Sequence, residues 1–316
     1  MATLLEAQGV KKYFSVPAGT NHAVDNVSFK IEKGETIGIV GESGCGKSTL
    51  GRTLIRLYEP TGGKILLNGE DISELKGKEL KKVRENMQII FQDPYSSLNP
   101  RMTVSETIAE PLVLSKRYKK KEIEEAAEEL MDRVGVEQRL RLAYPHEMDG
   151  GRRQRVGIAR ALALNPEFIM CDEPVSALDV SIQAQVLNLL MDLQDQMGLT
   201  YMFVTHDLSV VRHIANNIAV MYLGQMVETC ESKHLFENPL HPYTKALLSA
   251  IPSTDLDHPM NRIILKGEIT SPINPKPGCR FASRCVYATE ACQQPQELHE
   301  VEPGHFVACC RVKEIN

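Results

Sequence analysis

One stretch limits the possible fold of this chain more than any other. The loop Gly41-Glu42-Ser43-Gly44-Cys45-Gly46-Lys47-Ser48 stands between the apolar run Ile37-Gly38-Ile39-Val40 and a helix-compatible stretch from Ser48 to Leu57. A G-x-x-x-x-G-K-[ST] loop that leaves a strand and opens a helix is a phosphate cradle. The glycines let successive backbone N–H groups turn inward, and the helix N-terminus adds positive potential. Lys47 is then expected to reach the β- and γ-phosphates of a nucleotide, and the Ser48 hydroxyl to take Mg²⁺, with Thr49 next in line. Lys47-Ser48 has no structural reason to follow a glycine turn, so a purely architectural loop does not account for the pattern.

The remaining periodicities suit an α/β chain. Val24, Val27 and Phe29 alternate with polar residues and predict short strands within residues 1–40, with turns marked at Gly34 and Gly62-Gly63. Helices are expected at Glu79–Glu85, Lys119–Val134, Val156–Leu164 and residues 180–197. In the second, Ile123, Ala126, Ala127, Leu130 and Val134 share one apolar face; in the last, Val186, Leu187, Leu190 and Leu193 do. Phe168-Ile169-Met170-Cys171 and Tyr201-Met202-Phe203-Val204 read as buried strands. Strands alternating with helices imply a parallel or mixed sheet with helices packed on it. From about Ser253 prolines and cysteines replace periodic patterns, which places a boundary near residue 252.

Composition narrows the class. Apolar residues at 42% can build a sizeable core, and a formal net charge of −5 argues against a nucleic-acid footprint. Arg117-Tyr118-Lys119-Lys120-Lys121 is expected to be a solvated surface run. No run of apolar residues is long enough to span a membrane, and Met1-Ala2-Thr3-Leu4-Leu5-Glu6 lacks the features of a secretory signal. The expectation is a soluble, cytosolic chain.

A nucleotide site needs an acidic second half. Asp172 ends the apolar run from Phe168 and is suited to Mg²⁺; Glu173 follows and can orient or deprotonate an attacking water. Between the two halves lies Met148-Asp149-Gly150-Gly151-Arg152-Arg153-Gln154-Arg155. Here the chain resembles the ATP-binding-cassette (ABC) family, whose Leu-Ser-Gly-Gly-Gln signature it matches at Gly150 and Gly151 and departs from at Met148, Asp149 and Arg152. The resemblance implies a signature, Asp149 to Arg152, that acts on a partner's site. It makes Gln92 the Q-loop glutamine that senses Mg²⁺, Asp179 a D-loop residue and His206 the switch histidine at the γ-phosphate. It also makes Tyr13 the ring that stacks on adenine, although the adjoining Phe14 could serve.

Within that family the match narrows. The loop Gly41 to Gly46, Phe91-Gln92-Asp93-Pro94 with Ser97-Leu98-Asn99-Pro100, Cys171 to Asp179, and Asn238 to Leu247 look like the ATPase subunits of bacterial dipeptide and oligopeptide importers, over nearly the whole chain. That resemblance implies a P-loop domain at 1–252 with a RecA-like core, an antiparallel β part and a helical subdomain near 95–165. It further implies ATP hydrolysis driving peptide uptake, a second and different ATPase subunit, two membrane permease subunits and an external substrate-binding protein, at the cytoplasmic face of the membrane. A nickel importer or a non-transport ABC ATPase are the alternatives.

Five of the eight cysteines fall in the last 40 residues, and clustering in a cytosolic chain points to metal or redox chemistry. Cys279, Cys285, Cys292 and Cys309 offer four soft ligands in a 253–316 extension too poor in apolar periodicity to build its own core. Their wide gaps suit a [4Fe–4S] cluster better than Zn²⁺, as does the family resemblance; Zn²⁺ or free thiols are the alternatives, and Cys310 competes with Cys309.

Overall fold

The computed structural model describes residues 2–251, 262–265, 267 and 270–316. The boundary expected at 252–253 lies outside them. The described chain divides into two compact units, Met1–Glu74 with Phe203–Asn316, and Leu75–Met202.

The first unit opens with β1 (Thr3–Val16), β2 (Gly19–Glu32), β3 (Thr36–Val40), α1 (Lys47–Leu54), β4 (Gly62–Leu67) and β5 (Glu70–Asp71). The second holds α2 (Gly77–Asn86), β6 (Met87–Ile90), α3 (Pro94–Ser97), α4 (Val104–Ser115), α5 (Lys120–Arg133), α6 (Gly150–Leu162), β7 (Phe168–Asp172) and α7 (Val180–Met197). The division passes through β8 (Thr200–Val204). The first unit then resumes with α8 (Leu208–Ile214), β9 (Asn217–Tyr222), β10 (Gln225–Glu231), α9 (Ser232–Glu237), α10 (Pro242–Ser249), β11 (His299–Glu302), β12 (His305–Val307) and α11 (Val312–Ile315).

In the first unit β1 pairs antiparallel with β2 and β4, and β3 pairs parallel with β9, which pairs antiparallel with β10. In the second, β6 and β7 run parallel. The mixed sheet expected from the alternating pattern is therefore present. Three expectations for the first unit need correction. The strands of residues 1–40 are not short: β1 and β2 are 14 residues each, and register shifts along the pair break the alternation by which strand length is read. Gly62-Gly63 is not a turn but opens β4. Gly63 has φ +78°, and a Cβ there would sit 2.2 Å from the Gly9 carbonyl oxygen, so only glycine allows β1 and β4 to pair at that point. The helix expected to reach Leu57 stops at Leu54, because Arg56 turns into the left-handed region at φ +58°.

The second unit follows its hydrophobic pattern closely. The expected apolar face of α5 is inward, with Ala127, Leu130 and Met131 buried, and α7 buries Val186, Leu187, Leu190 and Leu193. Thr103 and Glu106 cap α4 reciprocally: the Glu106 carboxylate accepts from the Thr103 N–H at 2.8 Å and the Thr103 hydroxyl accepts from the Glu106 N–H at 3.3 Å. The helix predicted from Val156 begins six residues earlier, at Gly150, because Asp149 caps it. Among the described residues, no helix is long and apolar enough to cross a membrane.

Candidate functional site

The phosphate loop lies in the first unit. Gly46 is the N-cap of α1 with φ +105°, and a Cβ there would meet the Ala23 carbonyl oxygen at 2.1 Å; the close fit of loop against β2 forces glycine. The Lys47 side chain is 5% exposed, and its ammonium donates to the carbonyls of Gly41 at 2.8 Å and Glu42 at 3.0 Å. A cation is thus buried at the centre of the loop. Burial pushes the Cys45 thiol pKa up, so Cys45 is a packing residue of the loop rather than a reactive one.

Glu42 turns out to be held from elsewhere in the unit. Its carboxylate takes two hydrogen bonds from Arg284, at 2.7 and 3.1 Å, and its N–H donates to the Tyr243 hydroxyl at 2.9 Å. Sequence reasoning missed both anchors. Arg284 stands 242 positions away, among the cysteines, and nothing local marks it.

Tyr13 stacks on His22, with ring centroids 4.0 Å apart, and its hydroxyl donates to Asp25, which also binds Arg280. Burial, with Asp25 adding to it, pushes the Tyr13 pKa up to about 12. Phe14 instead packs edge-on against Tyr58. His206 lies two residues past the end of β8, just before the Asp207 cap of α8.

The acidic half lies in the second unit. Asp172 ends the fully buried β7 and is 1% exposed. Glu173 has φ +48°, an unfavourable backbone for a residue with a Cβ. The parallel register pairs Ile90 with Cys171, so Gln92 and Glu173 each stand two residues beyond a matched pair. Their side chains meet: Gln92 Nε2 donates to Glu173 Oε2 at 2.8 Å. Asp179 is the N-cap residue of α7.

Asp149 caps α6. One oxygen accepts from the Arg152 N–H and the other pairs with the Arg152 guanidinium, both at 2.8 Å. Gly150 and Gly151 form the first turn of that helix.

Near the C-terminus Cys279, Cys285, Cys292 and Cys309 are neighbours, although no three cysteine sulfurs of the described residues lie within 4.8 Å of one another. Cys279 N–H donates to the Cys292 carbonyl at 2.8 Å. Burial raises the Cys279 thiol pKa to about 11, with the neighbouring Cys292, Cys309 and Cys285 reinforcing the rise. Cys310 is exposed, with its Sγ 4.0 Å from that of Cys292.

Known proteins match both halves of the chain. Residues 24–176 fit the ABC transporter family model, and residues 227–292 fit that of the oligopeptide/dipeptide transporter C-terminal region. The oligopeptide transport ATP-binding protein AppF of Bacillus subtilis is 55% identical, over 97% of each chain. OppF of the same organism, also an oligopeptide transport ATP-binding protein, is 53% identical over 97% of this chain and 96% of its own. A putative peptide import ATP-binding protein of Brucella ovis is 50% identical over 98% of each. Among solved structures, a dimeric ATP-binding cassette in a post-hydrolysis state with ADP and Pi superposes with a TM-score of 0.66 at 31% identity. It covers 72% of this chain and 99% of its own. The cbiO1 cassette of Clostridium perfringens, part of an ABC transporter complex, gives 0.68 at 28% identity, over 75% and 92%.

Proposed function

This chain belongs to the ABC transporter family, among the ATP-binding proteins of oligopeptide import, and from that membership we propose how its residues work. The chain is the ATP-hydrolysing subunit of an oligopeptide importer, converting ATP and water to ADP and phosphate. The fit of residues 227–292 to the oligopeptide/dipeptide region favours peptide cargo over nickel and over a non-transport role.

The observation that carries the catalytic reading is the Gln92–Glu173 hydrogen bond beside buried Asp172, with Glu173 held at φ +48°. In this reading Gly41 to Gly46 wrap the phosphates with backbone N–H groups, Lys47 neutralises the β- and γ-oxygens, and Tyr13 faces the adenine. Ser48, Asp172 and Gln92 supply hard oxygen ligands suited to Mg²⁺, which when bound spreads the charge developing on the phosphates. Glu173 Oε2 accepts the proton of the attacking water, and His206 donates to the γ-phosphate. Asp149 to Arg152 serve the nucleotide of a second, different ATPase subunit. Two permease subunits and an external peptide-binding protein complete the complex, and the chain sits peripherally on the cytoplasmic face of the membrane.

Cys279, Cys285, Cys292 and Cys309 are neighbours and four thiols suit a soft metal; we assign them to a [4Fe–4S] cluster that would staple this coil-rich segment rather than carry electrons in the reaction. Anaerobically purified protein is expected to be brown, with about four irons per chain; colourless protein with about one zinc would favour Zn²⁺ instead.

The function is tested in proteoliposomes holding the permease subunits, both ATPase subunits and the binding protein. Lys47→Ala is expected to stop both ATP hydrolysis and uptake of an oligopeptide. Transport at the unaltered rate with Lys47→Ala, or ATP hydrolysis indifferent to peptide, defeats the reading.

A further inference from the structure

Outside the nucleotide loop and the four clustered cysteines, three side chains of the first unit converge where the C-terminal hairpin meets α9. His234, on α9, Glu302, at the end of β11, and His305, at the start of β12, each offer one ligand atom, and the three atoms lie within 4.8 Å of one another. The two rings are edge-to-face with centroids 5.0 Å apart, and His234 Nε2 stands 3.0 Å from Glu302 Oε2.

The state of His305 turns this cluster from a polar contact into a site. The residue is fully buried. Its Nε2 is 2.7 Å from Glu228 Oε1, while its Nδ1 is buried with no hydrogen-bond partner among the described residues. Glu228 is itself fully buried, on β10, and accepts from the N–H groups of Leu240 at 2.7 Å and His241 at 3.0 Å. A carboxylate that accepts on both oxygens takes the Nε2 proton as a third donor, which fixes the tautomer and leaves a bare lone pair on Nδ1. An imidazole held by a carboxylate through one nitrogen and unpaired at the other, in a cluster with a second imidazole and a second carboxylate, is the arrangement by which proteins orient histidine toward a metal.

We propose that His305 Nδ1, His234 Nε2 and Glu302 bind a divalent d-block cation of the zinc type, with Glu228 as the positioning residue behind His305. Two neutral imidazoles and one carboxylate match the ligand set for such an ion, and the roughly one-third to one-half exposure of the His234 and Glu302 side chains leaves room for water as a fourth ligand. Glu302 and Glu228 together balance the charge of the ion. The ion ties the β11–β12 hairpin to α9. The hairpin also meets β10 through the pairs Glu228 with Val307 and Thr229 with Phe306 and through the bond from the Ala308 N–H to the Val227 carbonyl at 2.8 Å, and the ion would add a tie to α9.

The site is distinct in donor chemistry from the cysteines, which makes the test separable. Metal-stripped full-length chain is titrated with Zn²⁺ alone by calorimetry, beside His234→Ala and Glu302→Gln, whose partly exposed side chains can be lost without opening the core. All three chains keep every cysteine, so thiolate-bound zinc cancels between them. The unaltered chain is expected to bind one zinc more than either variant, or to bind that ion about 100-fold more tightly. Zinc is expected to raise its melting temperature more than theirs, and X-ray absorption of the additional ion to show only nitrogen and oxygen neighbours. Equal stoichiometry and affinity in all three chains, or sulfur around the additional ion, overturns the assignment and leaves the cluster a hydrogen-bonded network.

Discussion

Glu173 joins strain and chemistry in one residue. Its carboxylate is oriented by Gln92 at 2.8 Å while its backbone occupies the left-handed region at φ +48°. Glu173→Gln keeps the shape and removes the proposed base, so ATP binding is expected to persist while turnover falls by about 10²–10⁴-fold. Near-normal ATPase activity of that variant in the assembled complex would show that the proton goes elsewhere. The backbone gives a second readout. Glu173→Gly and Glu173→Ala both lose the carboxylate, but only alanine keeps a Cβ in that region. The glycine variant is expected to be the more stable of the two by about 1 kcal/mol in urea denaturation. Equal stability would mean that the turn relaxes, and that no strain is stored in this position.

At the scale of elements, two attachments in the first unit carry consequences. His241 caps α10 through Nδ1, which accepts from the Tyr243 N–H at 3.1 Å, and burial holds its pKa down to about 4. An unfolded histidine titrates near ~6.5. Below that pH the unfolded chain takes up a proton that the folded chain refuses, so the stability His241 brings is present above about 6.5 and is lost as pH falls toward 4. The loss approaches about 3 kcal/mol. Urea midpoints measured between neutral pH and pH ~4.5 should fall more steeply for the unaltered chain than for His241→Asn, which can still cap. Parallel curves would place the acid sensitivity in another group. The second attachment is the grip of Arg284 on Glu42. The Arg284 side chain is 8% exposed and the pair is two-pronged, so truncation leaves a poorly solvated carboxylate in the phosphate loop. Arg284→Met is expected to weaken binding of a fluorescent ATP analogue several-fold; unchanged affinity would mean that the loop holds its shape unaided.

For the whole assembly, the departure at Asp149 would set the two nucleotide sites of the proposed heterodimer apart. In the proposed complex a serine at that place would donate to the partner's γ-phosphate, and a carboxylate would not; a lost hydrogen bond to a charged group costs about 1.5–3 kcal/mol. Arg152 pairs with Asp149 and removes part of the repulsion, but both side chains are about half exposed, so the pair itself contributes less than about 1 kcal/mol. The site that uses this signature is therefore expected to turn over slowly, while the one built on Lys47 and Glu173 does most of the work. Paired knockouts in the assembled transporter check this: Glu173→Gln should be far more damaging than the matching change in the partner, and equal losses would refute the asymmetry.

The sequence by itself determined everything that consecutive residues can carry. The phosphate loop was legible because its glycines, Lys47 and Ser48 are contiguous, and the helices because their apolar faces repeat within one segment, as with Ala127, Leu130 and Val134 in and just past α5. Asp172 and Glu173 were legible because they end an unbroken apolar run. What only the tertiary structure decided was pairing across long separations. The strand register brought Gln92 to Glu173, and the bulged β1–β4 pairing made a strand opening of Gly62-Gly63. The return of the chain through residues 270–316 delivered Arg284 to Glu42 and His305 to Glu228 and His234. The physical reason is the same each time: a side chain's local neighbours fix its backbone, but its partner is fixed by where a distant segment crosses, and no periodicity encodes that crossing.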